Sequence, residues 1–240
     1  MKSGLGRALA GVCVAAALAA TAACGAGSAD DAGKSADKSA DKAAGKPAAK
    51  TEPKPLTKAE LTQAALTKAD AKGYRVGTTP DDEIPDVSVP ADPASCQALA
   101  DMTLVGTEPD AKARVSRSLT SLTATDATVL RVALLAHEES DAKKVVADLR
   151  TQSEKCASFE HAEVEYAKVA PLKAPAAGDE AVSYSLIGKV DGDTVPATYT
   201  VVRSGSTLAV FYGANLLSPK KALIPQKIID AQIAKVEKQA

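Results

Sequence analysis

The 240 residues carry 29 basic and 30 acidic side chains, a formal net charge of −1, which argues against nucleic acid as the main partner. Hydrophobic residues make up 45% of the chain but aromatics only 3%, with no tryptophan. Any core must therefore rely on Val, Leu, Ile and Ala rather than on large rings.

In chain order, Lys2 and Arg7 precede an uncharged, alanine-rich run from Ala8 to Ala23. It is shorter than the roughly 20 apolar residues of a membrane-crossing helix. A basic start, a short apolar segment and small residues at its end describe a secretory signal peptide over residues 1–23. Thr21-Ala22-Ala23-Cys24 resembles a bacterial lipobox, after which the cysteine receives a diacylglyceryl group and becomes the mature N-terminus. Thr21 stands where that pattern usually has leucine, and ordinary cleavage after Ala22 is the alternative. The stretch that follows favours lipidation of Cys24, because a tethered protein needs a spacer. Cys13 lies inside the leader and is discarded with it.

Residues 25–55 contain no aromatic and no branched aliphatic side chain, so they cannot bury enough apolar surface to offset the entropy of ordering. Lysine recurs at every fourth position from Lys34 to Lys54. On a helix this would make a basic stripe for anionic lipid or wall polymer. Gly33, Gly45, Pro47 and Pro53 interrupt any such helix, and interleaved aspartates cancel much of the charge. Residues 24–55 therefore read as the lipidated cysteine and a disordered tether, and residues 56–240 as one domain with room for a real core.

Thr57-Lys58-Ala59-Glu60 is a capping box with Leu56 and Leu61 as its hydrophobic staple, opening a helix that runs toward Gly73. Asp92-Pro93 supplies an N-cap and first-turn proline for a helix through about Met102. A third helix from Ser140 places Ala142, Val145, Val146, Leu149 and Cys156 on one face. Pro225 opens a last helix whose apolar face carries Ile229, Ile233 and Val236.

Strands fill the intervals. Residues 113–123 and 128–136 form a hairpin around Ala124-Thr125-Asp126. Asp191-Gly192 is a strong two-residue turn that pairs Leu186 with Ala197 and Tyr184 with Tyr199. A second turn at Ser204-Gly205 pairs Val201 with Leu208 and Tyr199 with Val210. Both counts place Val182, Tyr184, Leu186, Tyr199, Val201, Leu208, Val210 and Tyr212 on one face, and a one-residue slip in either turn is expected to scatter it. The fold class is α+β, a twisted antiparallel sheet with a C-terminal meander packed against several helices.

Cys96 lies one turn into the second helix and Cys156 ends the third, both on apolar faces. In an exported chain such a pair forms a disulfide, here closing a loop worth about 4 kcal/mol by chain entropy. The competing redox or metal reading lacks a CxxC and a histidine at ligand spacing.

The search for chemistry finds little. His137-Glu138 begins like an HExxH zinc helix, but Asp141 stands in the place of the second histidine. His161, Glu163 and Glu165 would share one strand face, a conceivable weak metal site, although the wet side of a sheet is the better reading. There is no GxSxG elbow, phosphate-binding glycine loop or S-x-x-K signature. Ser206 belongs to a turn, and Glu138-Glu139 and Asp179-Glu180 lie beside turns. No catalytic residue, metal site or cofactor is assigned, and ligand-binding residues are not identifiable.

Together, "LTKAELTQAALTKADAKGYRV" (56–76), "DPASCQALAD" (92–101), "KCASFE" (155–160), "GDEAVSYSL" (178–186) and "YTVVRSGSTLAVF" (199–211) resemble the extracellular sensor-type domain of the actinobacterial PknH kinases, which also occurs in free-standing lipoproteins. The resemblance covers most of residues 56–240 and rests on pattern and order. It implies an α+β domain whose twisted antiparallel sheet carries helices and leaves a cleft suited to a ligand. That family's domain is described with two disulfides, whereas residues 56–240 offer only Cys96 and Cys156. No kinase domain is present in these residues, so signalling would require a separate membrane partner. The expectation is a non-catalytic lipoprotein on the extracytoplasmic face of the cell membrane, binding a small molecule or envelope component. An accessory module of an envelope complex is the alternative, and a hydrolase a distant third.

Overall fold

A computed structural model of the chain describes residues 54–80, 88–123, 126–215, 217–218 and 222–239. The leader, Cys24, nearly all of the tether and the hairpin tip at Ala124-Thr125 lie outside these residues. In chain order the elements are α1 (Lys58–Ala64), β1 (Tyr74–Thr79), α2 (Gln97–Thr103), β2 (Ala113–Ser121), β3 (Thr128–Ala136) and α3 (Glu139–Lys155). They continue with β4 (Ser158–His161), β5 (Val164–Leu172), β6 (Glu180–Val190), β7 (Asp193–Ser204), β8 (Thr207–Asn215) and α4 (Gln226–Val236). The eight strands form one antiparallel sheet in the order β1-β2-β3-β8-β7-β6-β5-β4. Helix α3 carries the chain from β3 to the far edge, and the returning strands close when β8 pairs with β3. The α+β expectation holds.

The meander obeys its turns. Asp191 and Gly192 both have positive φ, 51° and 86°, the two-residue turn whose twist matches the flanking strands. Leu186 pairs with Ala197 and Tyr184 with Tyr199, as expected. The second turn sits one residue later than expected. Gly205, with φ 57°, takes the first central position and Ser204 pairs with Thr207. Val201 therefore faces Val210, and Tyr199 faces Tyr212. Moving a two-residue turn by one position shifts every partner by two, so the faces survive. The expectation that such a slip would scatter them is wrong.

Arg203 fixes this turn. Its guanidinium is buried and donates to Asp179 at 2.9 Å, to Glu180 at 3.2 Å and to the Gly205 carbonyl at 3.0 Å. Asp179 also accepts the Gly205 N–H at 2.8 Å. A buried cation needs that full set of acceptors. Gly178 is required beside it, because its φ is 58° and a Cβ there would stand 2.3 Å from the Arg203 carbonyl oxygen.

Two helix limits differ from the sequence reading. The capping box of α1 forms as expected, with Thr57 and Glu60 bonded reciprocally. The helix nevertheless stops at Ala64 rather than near Gly73. Gln232 of α4, fully buried, donates to the Ala64 carbonyl at 2.8 Å and accepts the Leu66 N–H at 3.2 Å. A tertiary partner thus satisfies the groups that would otherwise carry the helix on. Asp92 does not cap α2; its backbone bonds reciprocally with Glu160 at the β4 edge, and a 3₁₀ turn over Ala94–Cys96 precedes the helix.

The sheet buries apolar residues on both faces. On one, α2 and α3 cover Leu135, Val182, Tyr184, Val201 and Leu208. On the other, α1 and α4 cover Leu119, Leu130, Val132, Leu134 and Phe211. Cys96 and Cys156 are joined, with an S–S distance of 2.04 Å and Cα atoms 5.8 Å apart.

Tyr184 is fully buried, and its hydroxyl has no hydrogen-bond partner among the described residues. Its ring stacks on Tyr199, centroids 5.2 Å apart and planes at 10°. Leaving a buried hydroxyl unpaired costs about 1–3 kcal/mol, so the ring supplies what the residue contributes. Tyr184→Phe should match or exceed the wild type in urea unfolding, whereas Tyr184→Ala should lose about 3–5 kcal/mol. A marked loss in the Phe variant would show a partner for the hydroxyl.

Candidate ligand-binding cleft

The helical layer on the α2/α3 face does not reach the whole sheet. Helix α2 is seven residues long, and α3 packs chiefly on β5, β6 and β7. Beyond the helices the strands present small side chains, Ala133, Ala197 and Gly188, while Met102, Tyr166, Tyr199 and Tyr212 rise around them. The result is a cleft of about 200 Å³.

Each wall has a local cause. Gly188 pairs with Tyr166 across β6 and β5, and a Cβ on it would come within 3.3 Å of the Tyr166 ring. Glycine therefore lets that ring lie over the strand. Tyr166 also stacks on Phe159, centroids 4.9 Å apart. At the other wall α2 ends in a Schellman turn. The Gly106 N–H reaches the Asp101 carbonyl at 2.8 Å and the Val105 N–H reaches that of Met102 at 3.1 Å. The left-handed residue of this turn is Val105, with φ 60°, where glycine is the usual choice. A β-branched residue in that region is strained. Held there, Val105 turns its buried side chain onto the cleft.

Arg131 of β3 is the one charged residue on the cleft wall among the described residues. It is exposed and pairs across the strands with Tyr212, which in turn pairs with Tyr199. Burial pushes the phenols of Tyr199 and Tyr212 up, and the Arg131 charge pulls both back down. At neutral pH both hydroxyls keep their protons and can donate. The opposite face carries a wider, more open groove of about 700 Å³. Its buried hydroxyls Ser183 and Thr200 bond to each other at 2.8 Å and so have less to offer a ligand.

No family model and no curated protein sequence matches the chain. By structure it is similar to the extracellular domain of PknH from Mycobacterium tuberculosis, with a TM-score of 0.52 and 13% identity over 77% of this chain and 98% of that one. The fold is that of the PknH extracellular domain. An uncharacterised protein of Mycobacterium smegmatis, an ortholog of Rv0999, aligns over 77% of this chain and 97% of its own, at 14% identity and a TM-score of 0.43.

Within this PknH-like fold neither histidine reaches the cleft. His161 closes β4, and the turn Ala162-Glu163, with φ of 49° and 64°, separates it from Glu165. The three residues do not share a strand face, and Glu165 pairs instead with Lys189 at 2.7 Å. His161 is buried rather than on a wet face. Thr103 commits its hydroxyl proton to the Ala100 carbonyl at 2.7 Å, so His161 Nδ1, at 3.1 Å, donates to Thr103. Among the described residues no three ligating side chains gather for a metal. Cys96 and Cys156 meet at the start of α2, whose other end lines the cleft. Sequence reasoning missed Arg131, Tyr166 and Val105.

His137 lies fully buried just past β3. Burial lowers its pKa to about 4, Lys112 adds to this, and Asp141 and Asp110 oppose it. The native state thus holds a neutral ring that the unfolded chain protonates near pH 6.5. Stability from this group is complete above that pH and is lost as pH falls toward 4, by at most about 1.4 kcal/mol per pH unit. Urea midpoints should fall over this window in the wild type and fall less in His137→Gln. Identical pH profiles would assign the loss to other groups.

Proposed function

We propose that the chain is a lipoprotein, anchored through Cys24 on the extracytoplasmic face of the cell membrane, whose domain captures a small molecule or envelope component without catalysis. The observation that carries this reading is the cleft: a concave, largely apolar surface with a few convergent polar groups, the ordinary form of a ligand site. The PknH-like fold supports an extracellular setting, as does the Cys96–Cys156 disulfide, since such bonds persist in oxidising compartments. Among the described residues no helix is long and apolar enough to cross a membrane. In this reading the acylated Cys24 attaches the chain, with residues 25–55 as spacer.

A second reading is favoured by one feature. Leu223, 57% exposed, and Leu172, 37% exposed, flank the wider groove on the opposite face, a surface that could dock on an envelope complex. Hydrolysis has less support, because the cleft residues offer no histidine or carboxylate to activate a nucleophile.

Native mass spectrometry of the protein purified from its own host should show a small-molecule adduct that Gly188→Val, which crowds Tyr166, does not carry. Equal loading of both proteins would place the ligand elsewhere, and no adduct in either would favour the docking reading. Cys24→Ala should move the protein from the membrane fraction to the soluble one with its domain folded. A membrane-bound, full-length Cys24→Ala protein would refute the anchor.

A further inference from the structure

The cleft is aromatic on its walls and cationic at one point. Arg131, Tyr212, Tyr199 and Tyr184 are successive cross-strand partners on β3, β8, β7 and β6, so one row of side chains runs from solvent into the core. Tyr199 stands at its centre, its centroid 5.2 Å from those of both Tyr184 and Tyr212. The inner end is closed by a parallel stack and the Tyr212 ring is tilted by 58°. Beneath lies a low floor of Ala133, Ala197 and Gly188.

Arg131 stands exposed beside Tyr212. Among the described residues it has no carboxylate partner, in contrast to Arg203 with its two and Arg150 with Glu180. A guanidinium presents five N–H donors in a plane and matches a carboxylate or similar anion with two parallel bonds. Here that fork lies at the rim of a space too small for a lipid chain. At about 200 Å³ the cleft falls below the roughly 300–1,000 Å³ of sites for drug-sized ligands. Tyrosine walls favour a flat, unsaturated guest, since rings pack offset or edge to face.

Building on the ligand-binding reading, we propose that the cleft takes a small aromatic anion, one or two fused rings bearing a carboxylate or an equivalent acid. The ring lies over Ala133, Ala197 and Gly188 between Tyr166 and Tyr212, and the acid group reaches Arg131. No bond is made or broken. Arg131 sets selectivity for charge, and the tyrosines and the glycine set selectivity for flatness.

The test compares 2-naphthoate with the near-isosteric neutral 2-naphthamide by isothermal titration calorimetry on the full-length protein. Naphthoate should bind with 1:1 stoichiometry and at least tenfold more tightly than naphthamide. Arg131→Gln should abolish that difference by weakening naphthoate alone, and Arg131→Lys, which keeps the charge but not the fork, should fall between. Gly188→Val should weaken both probes, showing that they sit in the cleft. Equal binding of both probes to the wild type, or naphthoate binding that survives Arg131→Gln, overturns the anion preference while leaving a ligand site in place. Binding of neither probe overturns the ligand class altogether, whereas the host-derived adduct independently reports whether any ligand is held.

Discussion

The bond between Cys96 and Cys156 determines where α2 can be, and α2 is a wall of the cleft. A helix of seven residues is marginal by itself. Three contacts hold its start: the disulfide to the end of α3, the Gln152 side chain accepting the Ala98 N–H at 2.9 Å, and Gln97 bridging to Ala91 and Val89. Helix α3 in turn is seated on the sheet by Ala142, Val145, Val146 and Leu149. The disulfide transmits that seating to α2, and the Schellman turn at its other end aims Met102 and Val105 at the sheet. Because the layer ends there, the aromatic part of the face stays open.

The sheet tolerates this opening because its two faces do different work. The α1/α4 face is packed with aliphatic side chains and Phe211, and supplies much of the core. On the cleft face the aromatic residues share one core cluster: Phe159 stacks on Tyr166, and Tyr199 contacts both Tyr184 and Tyr212. In a chain with two phenylalanines and five tyrosines, that concentration is a choice of location. Tyrosine suits it, being apolar along its ring and polar at its tip. The ion cluster of Arg203 with Asp179 and Glu180 lies outside the cleft and holds the β7–β8 register that brings Tyr199 opposite Tyr212.

Much of this architecture is legible in the sequence, for reasons that differ by element. The α3 face and the disulfide follow from periodicity and compartment. The inward face of β6, β7 and β8 follows from alternation, and it withstands a misplaced turn because a shift of two leaves parity intact. The limits of α1 are not legible, since Gln232 lies far along the chain from Ala64. Nor is the burial of His161: the turn at Ala162-Glu163 uses two residues with side chains in left-handed backbone, against the usual preference for glycine or asparagine. The cleft itself is an absence of cover, and no local pattern encodes how far a helical layer extends. Arg131 reads as one more exposed charge until the strand order places it beside Tyr212.

The most direct test of the account concerns the cross-link as the support of the cleft wall. Hydrogen exchange should be followed in the oxidised protein and after reduction of Cys96–Cys156. Amides of residues 97–105 are expected to lose protection by about tenfold or more on reduction while those of β6, β7 and β8 keep theirs, the signature of a local unit released from an intact sheet. Equal protection of residues 97–105 in both states would contradict it, and would mean that packing alone holds α2 in place.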